Sequence, residues 1–522
     1  MPKIKVNGTE VEAPPGMRLL EVLTNLGTDV PHYCWHPGLT PAGNCRMCLV
    51  KVSNSRKLEV ACMVMPSEGL EVTTEGEEID AARKSVLEYM LINHPLDCPI
   101  CDKAGECRLQ DYTYEYRHGL SRFKEDKVIR PTKDLGPNIK IWGNRCISCT
   151  RCVRFCDEIA GTGELSIVNR GDHSVADTHP EVPLDNPMSL NVVDICPVGA
   201  LIDKNFLYQA RVWFAERKDS VCTSCSRGCN VVATVYKNEI KRLQPRFNAD
   251  VNGHWMCDHG RLNIAQVASE RRLKQAKGTV QDLARALREG GNKSAVIVSS
   301  SHTLEELYLL RQLANAVQAK VAVLGRDVGT RWVSKSGFAI EPDKTSNRRG
   351  AELLFGGGAG GRPTTLGSVV QLARSIWDGQ VKTLFVSNQL PDLEWPEELV
   401  AAAPKLQSLA VADLLDGPLV ARADVVVPTV CWAEKDGTIM NLDGRIQRLR
   451  PLVAPPQGAR TELAFLQELL VELGVRRHVV SAEAVFREAF PGLDYARVGL
   501  LGTVPGASTT PPAGTAPHVG NK

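Results

Sequence analysis

The chain has 522 residues, 43% of them apolar and 23% charged, so it can form several hydrophobic cores and belongs to the globular class. Its 62 Lys and Arg residues nearly balance its 60 Asp and Glu residues, which argues against nucleic acid as a partner. Cysteine is unevenly distributed, because 16 of the 17 cysteines lie in residues 1–257 and only Cys431 follows. The two halves therefore need separate interpretations.

The first residues predict neither a secretory nor an organellar targeting segment. Residues 3–6 predict a strand, Asn7 and Gly8 a turn, and the acids Glu10 and Glu12 follow early. Clustered cysteines in a chain that is not exported are expected to bind metal rather than to form disulfides. Because no run of 18 uncharged apolar residues occurs, we expect membrane association only through partners.

Hydrophobic spacing in residues 1–76 predicts short strands around one helix. The helix is expected at 18–26, ended by Gly27, and strands at 47–52 and 58–64. A second helix is expected from 77 to 92, stopped by Pro95, and its predicted inner face consists of Ile79, Val86, Leu87, Met90 and Leu91. Residues 96–260 have little periodicity, as expected where metal ligation replaces part of a hydrophobic core.

The first group of cysteines, called the first site, has the spacing C-x10-C-x2-C-x13-C. Two close cysteines with one outlier on each side are typical of plant-type ferredoxins, which hold a [2Fe–2S] cluster. A structural zinc ion is the alternative, and the ferredoxin-like strands and helix around the site favour the cluster. The expected ligands are Cys34, Cys45, Cys48 and Cys62.

The second site follows the predicted second helix with the spacing H-x3-C-x2-C-x5-C, and its expected ligands are His94, Cys98, Cys101 and Cys107. Three cysteines leave one iron of a [4Fe–4S] cluster without a protein ligand, and the chain offers no other thiolate here. A lone histidine is more often a capping or core residue, so spacing alone leaves that alternative open. An imidazole ligand would raise the reduction potential, because it carries less negative charge than a thiolate.

The third site begins with Cys146, Cys149 and Cys152, after which two cysteines compete for the fourth position. Cys156 would complete the bacterial run C-x2-C-x2-C-x3-C, but the proline of that motif follows Cys196 instead. No second C-x2-C-x2-C precedes Cys196 to form a partner cluster. We therefore expect one [4Fe–4S] cluster on Cys146, Cys149, Cys152 and Cys196, with Cys156 as a packing residue.

The fourth site has the spacing C-x2-C-x3-C-x27-C, with Cys222, Cys225, Cys229 and Cys257 as expected ligands. Three clustered cysteines and one remote cysteine favour a third [4Fe–4S] cluster, whereas zinc would suit two close pairs better. The four sites use 15 cysteines and leave Cys156 and Cys431. Four clusters would make an electron-transfer chain, and four zinc ions a scaffold without redox chemistry.

From residue 293 the pattern changes to alternating strands and helices. Buried-type strands are predicted at 294–299, 321–324, 383–386, 408–411 and 424–427, with a helix at 304–317, which indicates a parallel α/β sheet. The glycine tract at 356–361 formally satisfies G-x-G-x-x-G, but Arg362 and Pro363 follow where a helix should begin. We expect a flexible loop there rather than a dinucleotide site. The stretch 501–522, rich in Gly, Pro, Ser and Thr, is expected to be disordered.

Six stretches around the expected ligands carry a family resemblance: YCWHP at 33–37, AGNCRMC at 42–48, NHPLDCPIC at 93–101, GEC at 105–107, CISCTRC at 146–152 and DICPVGAL at 194–201. They resemble the large iron–sulfur subunit of bacterial NADH-quinone oxidoreductase, respiratory complex I. The resemblance covers residues 1–260 and implies that His94 is a cluster ligand.

The resemblance also implies a route for electrons. They would enter from a flavin on the NADH-binding partner subunit and pass to the first, the third and then the second site. From there they would continue to quinone-side iron–sulfur subunits. The fourth site would lie off this route. The implied location is the cytoplasmic side of the bacterial inner membrane, in the peripheral arm of a proton-translocating complex, with NADH and quinone bound by partners.

The second half is similar to molybdopterin oxidoreductases, as that subunit is. The signature residues of the resemblance are Glu434, Gly437, Thr438, Asn441, Gly444 and Arg445. Some 265 residues after Cys257 are too few for a full molybdoenzyme body, and Cys431 beside Trp432 suggests burial. We therefore expect no molybdopterin.

The expected fold class is multidomain α/β and α+β. It combines a β-grasp [2Fe–2S] domain, loop-rich [4Fe–4S] modules and a shortened molybdopterin-oxidoreductase-like α/β domain. The expected boundaries are 1–76, 77–117, 137–212, 215–271 and 272–500, with the tail at 501–522. The alternative function is the iron–sulfur part of an NAD-linked formate dehydrogenase or hydrogenase. Such enzymes need further cysteines or a longer body, and residues 258–430 lack cysteine.

Overall fold

The computed structural model describes residues 1–116, 121–356, 368–390, 393–475 and 481–505. These residues form two compact units. The N-terminal unit comprises Met1–Glu216 with Val333–Phe338, and the C-terminal unit comprises Arg217–Trp332 with the described residues from Ala339 onward. Within the described ranges, no helix has the length and apolar character needed to cross a bilayer.

The N-terminal unit combines ten short strands and five helices in its described residues. The strands are β1 (Lys3–Val6), β2 (Thr9–Glu12), β3 (Leu49–Val52), β4 (Glu59–Val60), β5 (Glu71–Thr73), β6 (Thr132–Asp134), β7 (Ile139–Trp142), β8 (Leu165–Val168), β9 (Val175–Thr178) and β10 (Leu201–Asp203). The helices are α1 (Leu19–Asn25), α2 (Glu77–Leu91), α3 (Arg108–Glu115), α4 (Arg151–Arg154) and α5 (Asn191–Ile195).

The first 76 residues fold into a mixed sheet that holds one helix, the β-grasp arrangement. The strand order is β2-β1-β5-β3-β4, with β1 and β5 parallel and the other pairs antiparallel. Leu19, Leu20 and Leu23 of α1 are fully buried with Ile4, Val50 and Val72 of the sheet in one core. This part of the expected fold class is confirmed.

Helix α2 begins at the predicted residue, but its buried face differs from the predicted one. Ile79 and Leu87 are buried, whereas Val86, Met90 and Leu91 are only half-buried. Arg83 is buried instead, and its guanidinium donates to the carbonyls of Leu49 and Thr74 at 2.8 and 3.1 Å. The prediction failed because these partners are distant in sequence, and periodicity alone cannot show that a charged side chain has them.

The remaining elements lie mainly in the C-terminal unit. The strands are β11 (Glu216–Val221), β12 (Asn230–Tyr236), β13 (Glu239–Pro245), β14 (Ser294–Ser299), β15 (Lys320–Leu324), β16 (Trp332–Val333), β17 (Ala339–Ile340), β18 (Thr383–Ser387), β19 (Ser408–Asp413), β20 (Val425–Pro428), β21 (Gly437–Met440) and β22 (Ile446–Leu449). The helices are α6 (Asp258–Leu262), α7 (Val280–Gly290), α8 (Leu304–Ala316), α9 (Arg348–Phe355), α10 (Val369–Trp377), α11 (Glu397–Ala402), α12 (Glu462–Glu472) and α13 (Ala482–Ala489).

The core of the C-terminal unit is a parallel sheet between two helical layers, as the alternating pattern predicted. The strand order is β15-β14-β18-β19-β20, and all four neighbouring pairs are parallel. Helices α7, α8, α9, α12 and α13 contribute to the core on one face, and α10 and α11 to the core on the other. Strand β14 has the predicted bounds.

Two features of this unit differ from expectation. Strands β11, β12 and β13 form a sheet, with β12 and β13 antiparallel, within a stretch predicted to have little periodic structure. Thr503 exchanges backbone hydrogen bonds with Ile446 at 2.8 and 2.7 Å, so the start of the expected tail is ordered. The rest of that tail and most of the glycine tract (357–361) lie outside the described residues.

A buried ionic network ties the carboxyl edge of the parallel sheet together. His302, after β14, contacts Glu306 at 3.1 Å through Nδ1 and the carbonyl of Ser387, at the end of β18, at 3.1 Å through Nε2. The ammonium of Lys435 donates to both oxygens of Glu306 at 2.9 Å and lies 3.5 Å from Glu462. Although burial alone would raise it, Lys435 and His302 lower the pKa of Glu306 to about 2. Removing Lys435 would take the ammonium from the buried carboxylate of Glu306, which is strongly destabilising.

Neighbouring Glu305 is buried without a cation. It accepts from the amide and the hydroxyl of Thr438 at 2.9 and 2.8 Å. Burial raises the pKa of Glu305 from 4.5 to about 7. The hydrogen bonds from Thr438 favour the charged form and lower the pKa, but burial has the larger effect. The folded state therefore retains this proton at pH values where the unfolded state has lost it.

We expect Glu305→Gln to flatten the pH dependence of stability between pH 4.5 and pH 7. In the wild type, the contribution of Glu305 is fully present below pH 4.5 and is lost as pH rises through the folded pKa. The lost contribution amounts to roughly 3 kcal/mol. The pH dependence of the free energy of unfolding is measured by urea unfolding of the full chain at several pH values, with pulse proteolysis reporting how much of the C-terminal unit remains folded. Glu397→Gln, at an exposed position of α11, is the control, and equal pH slopes in E305Q and wild type would refute the expectation.

Candidate metal centres

The first site is assembled from loops beside the sheet of the β-grasp domain. Cys48 directly precedes β3 and Cys62 follows β4, while Cys34 and Cys45 lie on the long loop before β3. All four thiols are buried. The Cys34 sulfur lies within hydrogen-bond distance of the Cys45 and Cys62 sulfurs, and the Cys48 sulfur within reach of the Cys62 sulfur. The structure thus brings all four predicted ligands together.

The thiols of the first site titrate as one group. Hydrogen bonds from the thiols of Cys45 and Cys62 lower the pKa of Cys34 to about 2, and these same bonds raise the pKa values of the two donors. Thiolates are the form that binds iron, so loading the site must release the remaining protons.

The second site lies between the C-terminal end of α2 and the N-terminal end of α3. Cys107 is the residue before α3, Cys98 begins a single 3-10 turn, and the carbonyl of Cys101 accepts from the amide of Ala104 at 3.1 Å. Cys101 and Cys107 are buried, whereas Cys98 is exposed. The charges of the three sulfurs influence one another. This site therefore reaches the surface of the N-terminal unit.

His94 has the properties of a free nitrogen ligand. Its Nδ1 is buried and has no hydrogen-bond partner among the described residues. Burial lowers the pKa of His94 to about 4, assisted by Arg145 and Lys127, so the ring is neutral at pH 7. Arg145 also acts on the Cys101 thiol. A neutral imidazole with an unused buried nitrogen suits metal ligation.

The third site is formed by a tightly turned segment and one remote cysteine. Ser148 and Thr150 have left-handed backbone with φ of 51° and 61°, on either side of Cys149. These turns, costly for residues other than glycine, bring Cys146, Cys149 and the α4 residue Cys152 toward one point. Cys196 directly follows α5.

A cavity lies between these four cysteines. Its volume is only about 20 Å³, and its other walls include the apolar side chains Ile141, Ile167, Val198 and Leu201. Cys156 does not line it. The Cys156 carbonyl accepts from the amides of Gly161, Thr162 and Gly163 at 2.8, 2.9 and 3.3 Å, closing the π-helical turn Phe155–Ala160 that continues α4. This position suits a packing residue.

The fourth site belongs to the C-terminal unit. Cys222 directly follows β11, Cys257 precedes α6, and the amide of Cys222 donates to the carbonyl of Cys229 at 2.8 Å. A Cβ atom on Gly260 would come within 2.7 Å of the Cys222 sulfur, so the first turn of α6 closely approaches the site. Burial raises the pKa values of Cys222 and Cys225 to about 11 and about 12, so these thiols are protonated until a metal displaces the proton.

The arrangement of the donors suits clusters better than single ions. A zinc ion needs its donors within about 2.3 Å of one point, whereas each protein ligand of a [4Fe–4S] cluster binds a different iron. The buried thiols and the cavity of the third site fit such clusters.

Two arginines that the sequence reasoning did not single out link the first and third sites. Arg154 donates through Nη2 to the carbonyls of Cys34 and Cys149, at 2.5 and 3.3 Å. Arg151 donates to the carbonyl of Ile195 at 3.0 Å and to that of Trp35. The sequence contains one signal for them: two basic residues at positions i and i+3 flank Cys152, and residues with this spacing are neighbours on the surface of a helix.

The third and second sites are also neighbours. A Cβ atom on Gly199, three residues after Cys196, would lie 2.1 Å from the Cys101 sulfur. Arg145, directly before Cys146, forms an ion pair with Asp97 at 2.9 Å, directly before Cys98. The N-terminal unit thus places the third site next to both the first and the second site.

The carboxyl edge of the parallel sheet is occupied by side chains of the chain itself. Open α/β sheets bind ligands in the crevice where strand order reverses, here between β14 and β18. His302 and Ser387 bridge that crevice, and the ionic network around Lys435 fills it. The signature residue Glu434 pairs with buried Arg272 at 2.8 Å, and the Asn441 side chain accepts from the amides of Asp443 and Arg445. These side chains support the fold.

Family models match the chain in the same order as the sites. They are a 2Fe-2S iron-sulfur cluster binding domain (2–77), the NADH-ubiquinone oxidoreductase-G iron-sulfur binding region (83–122), the ferredoxin-like domain of NADH-quinone oxidoreductase subunit 3 (136–202), a molybdopterin oxidoreductase Fe4S4 domain (215–269) and molybdopterin oxidoreductase (350–472). Both predicted kinds of iron–sulfur domain are therefore present.

Curated relatives match across the first half and beyond. The G subunit of NADH-quinone oxidoreductase from Rickettsia felis is 36% identical over 328 residues, which are 60% of this chain and 49% of that protein. The NADH-ubiquinone oxidoreductase 75 kDa subunit of Reclinomonas americana is 41% identical over 262 residues, 50% of this chain and 38% of that protein. The chain thus spans about half the length of these relatives or less.

A solved NAD+-reducing [NiFe]-hydrogenase in its H2-reduced state is 29% identical, with a TM-score of 0.38, covering 40% of this chain and 91% of the hydrogenase chain. The sequence matches to the curated proteins and the subunit-specific domains at 83–122 and 136–202 decide the assignment. On this evidence the chain is similar to the G subunits of NADH-quinone oxidoreductases over about half of their length, and it carries two domains described for such subunits.

Proposed function

We propose that this chain conducts single electrons through iron–sulfur clusters as a subunit of an NADH:quinone oxidoreductase. The proposed cofactors are one [2Fe–2S] cluster at the first site and [4Fe–4S] clusters at the second, third and fourth sites, with the ligands named above for each. No pterin is included, because the crevice that would hold it is filled by buried ion pairs.

The observation that carries this proposal is the contact order of the three sites in the N-terminal unit. Arg154 bridges ligand carbonyls of the first and third sites, and Gly199 brings the third site against Cys101 of the second. These contacts support transfer from the first to the third and then to the second site, the order that the resemblance implies. A scaffold held by zinc would have no need for such close spacing.

The two ends of this route indicate the partners. In the proposed complex, a flavin subunit that binds NADH supplies electrons to the first site. Cys98 is exposed beside Leu96, which is 93% exposed, so the second site is open to the next iron–sulfur subunit toward quinone. We place the chain in the peripheral arm, on the cytoplasmic side of the bacterial membrane, with proton translocation a property of the whole complex.

We assign the fourth site a role in stability. It lies in the other unit, and its loop is bonded to the α/β domain: the amide of Ser226 donates to the carbonyl of Asp343 at 3.2 Å, and the amide of Leu442 to that of Ser226 at 2.8 Å. A cluster there would crosslink β11, α6 and this loop.

Metal analysis tests the proposal as a whole. The full chain, purified anaerobically, should contain about fourteen irons and about fourteen acid-labile sulfides, from one binuclear and three cubane clusters. Four zinc ions without sulfide would contradict the electron-transfer function. Identification of the subunits that co-purify with the chain would separate complex I from a hydrogenase or formate dehydrogenase complex.

Cys152→Ser should abolish the cluster signal of the third site, whereas Cys156→Ser should leave all cluster signals in place. Both cysteines are buried and only four residues apart, but Cys152 alone lines the cavity with Cys146, Cys149 and Cys196. Electron paramagnetic resonance (EPR) spectra of the reduced protein measure the difference. Loss of a signal in C156S would show that the ligand assignment is wrong.

His94→Cys should retain the cluster of the second site with a more negative reduction potential, because a thiolate adds negative charge. His94→Ala should lose that cluster or destabilise it and should slow NADH-to-quinone electron flow. An EPR-monitored redox titration of the complex measures both. His173→Ala, which removes an exposed imidazole distant from the ligand sets in sequence, is the control. Unchanged potentials in both His94 variants would exclude His94 as a ligand.

A further inference from the structure

The contact between the first and third sites is made by cations. Arg154 uses one nitrogen, Nη2, for the carbonyls of the two ligand residues Cys34 and Cys149, while its Nη1 donates to the carbonyl of Thr40 and its Nε to the hydroxyl of Thr150 at 3.2 Å. Every donation runs to a neutral acceptor. One guanidinium therefore joins two residues 115 positions apart, each of which carries a cluster ligand.

Arg151 is the second cation of this interface. Its guanidinium lies close enough to the sulfurs of both sites to interact electrostatically with Cys149, Cys45, Cys196 and Cys34. Its two Nη atoms donate to the carbonyls of Ile195 and Trp35, and its Nε is buried without a partner among the described residues. Neither arginine forms an ion pair with a carboxylate in the part of the chain that the structure describes.

Two half-buried positive charges without a carboxylate partner are unfavourable unless negative charge lies nearby. Thiolate-ligated clusters supply that charge, and a cluster gains one more negative charge when it is reduced. A guanidinium beside both clusters stabilises the reduced state of each, and charges and hydrogen bonds near the sulfurs are known determinants of cluster potential. Lysine would keep the charge but not the fork of donors that reaches both carbonyls.

We propose that Arg151 and Arg154 are positioning residues that hold the first and third sites together and raise the reduction potentials of both clusters. This inference rests on the proposed function. In the step that they support, one electron leaves the reduced [2Fe–2S] cluster and reduces the [4Fe–4S] cluster of the third site. No bond forms or breaks, and no proton is transferred.

Arg130 provides a matched control. It also donates to the backbone of a third-site ligand, from Nη1 to the carbonyl of Cys146 at 3.1 Å, but its other bonds run to the carbonyl of Asp172. It therefore contacts the third site without contacting the first. Arg130→Gln should shift the potential of the third site alone.

The test is an EPR-monitored redox titration of the purified complex carrying R151Q, R154Q, both changes, R154K or R130Q. The double variant should shift the potentials of the [2Fe–2S] cluster and the third-site cluster together to more negative values. R154K should restore both potentials toward wild type while freeze-quench EPR still shows slower electron transfer between the two clusters. If the double variant does not assemble, the reduction potentials of the single variants and of R154K still test the proposal.

Unchanged potentials in R151Q and R154Q, or a shift confined to the third site as in R130Q, would overturn the inference and leave the proposed function intact. A purely structural role would lower cluster content without moving the potentials of the clusters that remain, and this too would overturn it. Absence of the two signals in the wild-type protein would instead overturn the proposed function.

Discussion

Convergence of sulfur ligands from separate loops is the constraint on which the N-terminal unit depends. Beyond residue 76 this unit has few long helices or strands, and its segments meet where cysteines meet. A buried thiolate is unstable without a metal, and a cluster without four donors is incomplete, so folding and metal loading must be coupled. This explains how left-handed backbone at Ser148 and Thr150 is tolerated: ligation at Cys149 would compensate for the local strain.

The C-terminal unit is stabilised differently. Its core is an ordinary three-layer α/β arrangement, and buried ion pairs form around Lys435 and Arg272. The signature that links this unit to molybdopterin oxidoreductases is retained, but its side chains serve internal hydrogen bonds. Buried ion pairs of the unit itself occupy the carboxyl edge of its parallel sheet.

The candidate ligands could be predicted from the sequence because most ligands of one cluster lie within a few residues of each other, so their spacing is visible without the structure. Strand β14 was equally predictable, since a run of buried β-branched residues has few alternatives. The buried Arg83 and the bridging Arg154 were not predictable, because their partners are distant in sequence. Leu49 lies 34 residues before Arg83, and Cys34 lies 120 residues before Arg154. Exposure of Cys98 depends on tertiary structure in the same way.

Gly199 shows what the close approach of two sites means for the chain that forms them. Its missing side chain leaves room for the Cys101 sulfur, which would lie 2.1 Å from a Cβ atom. Even a methyl group here would push one ligand-bearing loop away from the other. Electron tunnelling weakens steeply with distance. Gly199, which binds nothing and carries no charge, would therefore control the rate of electron transfer between the two clusters through the distance that it allows. At such a position the smallest residue is a functional requirement.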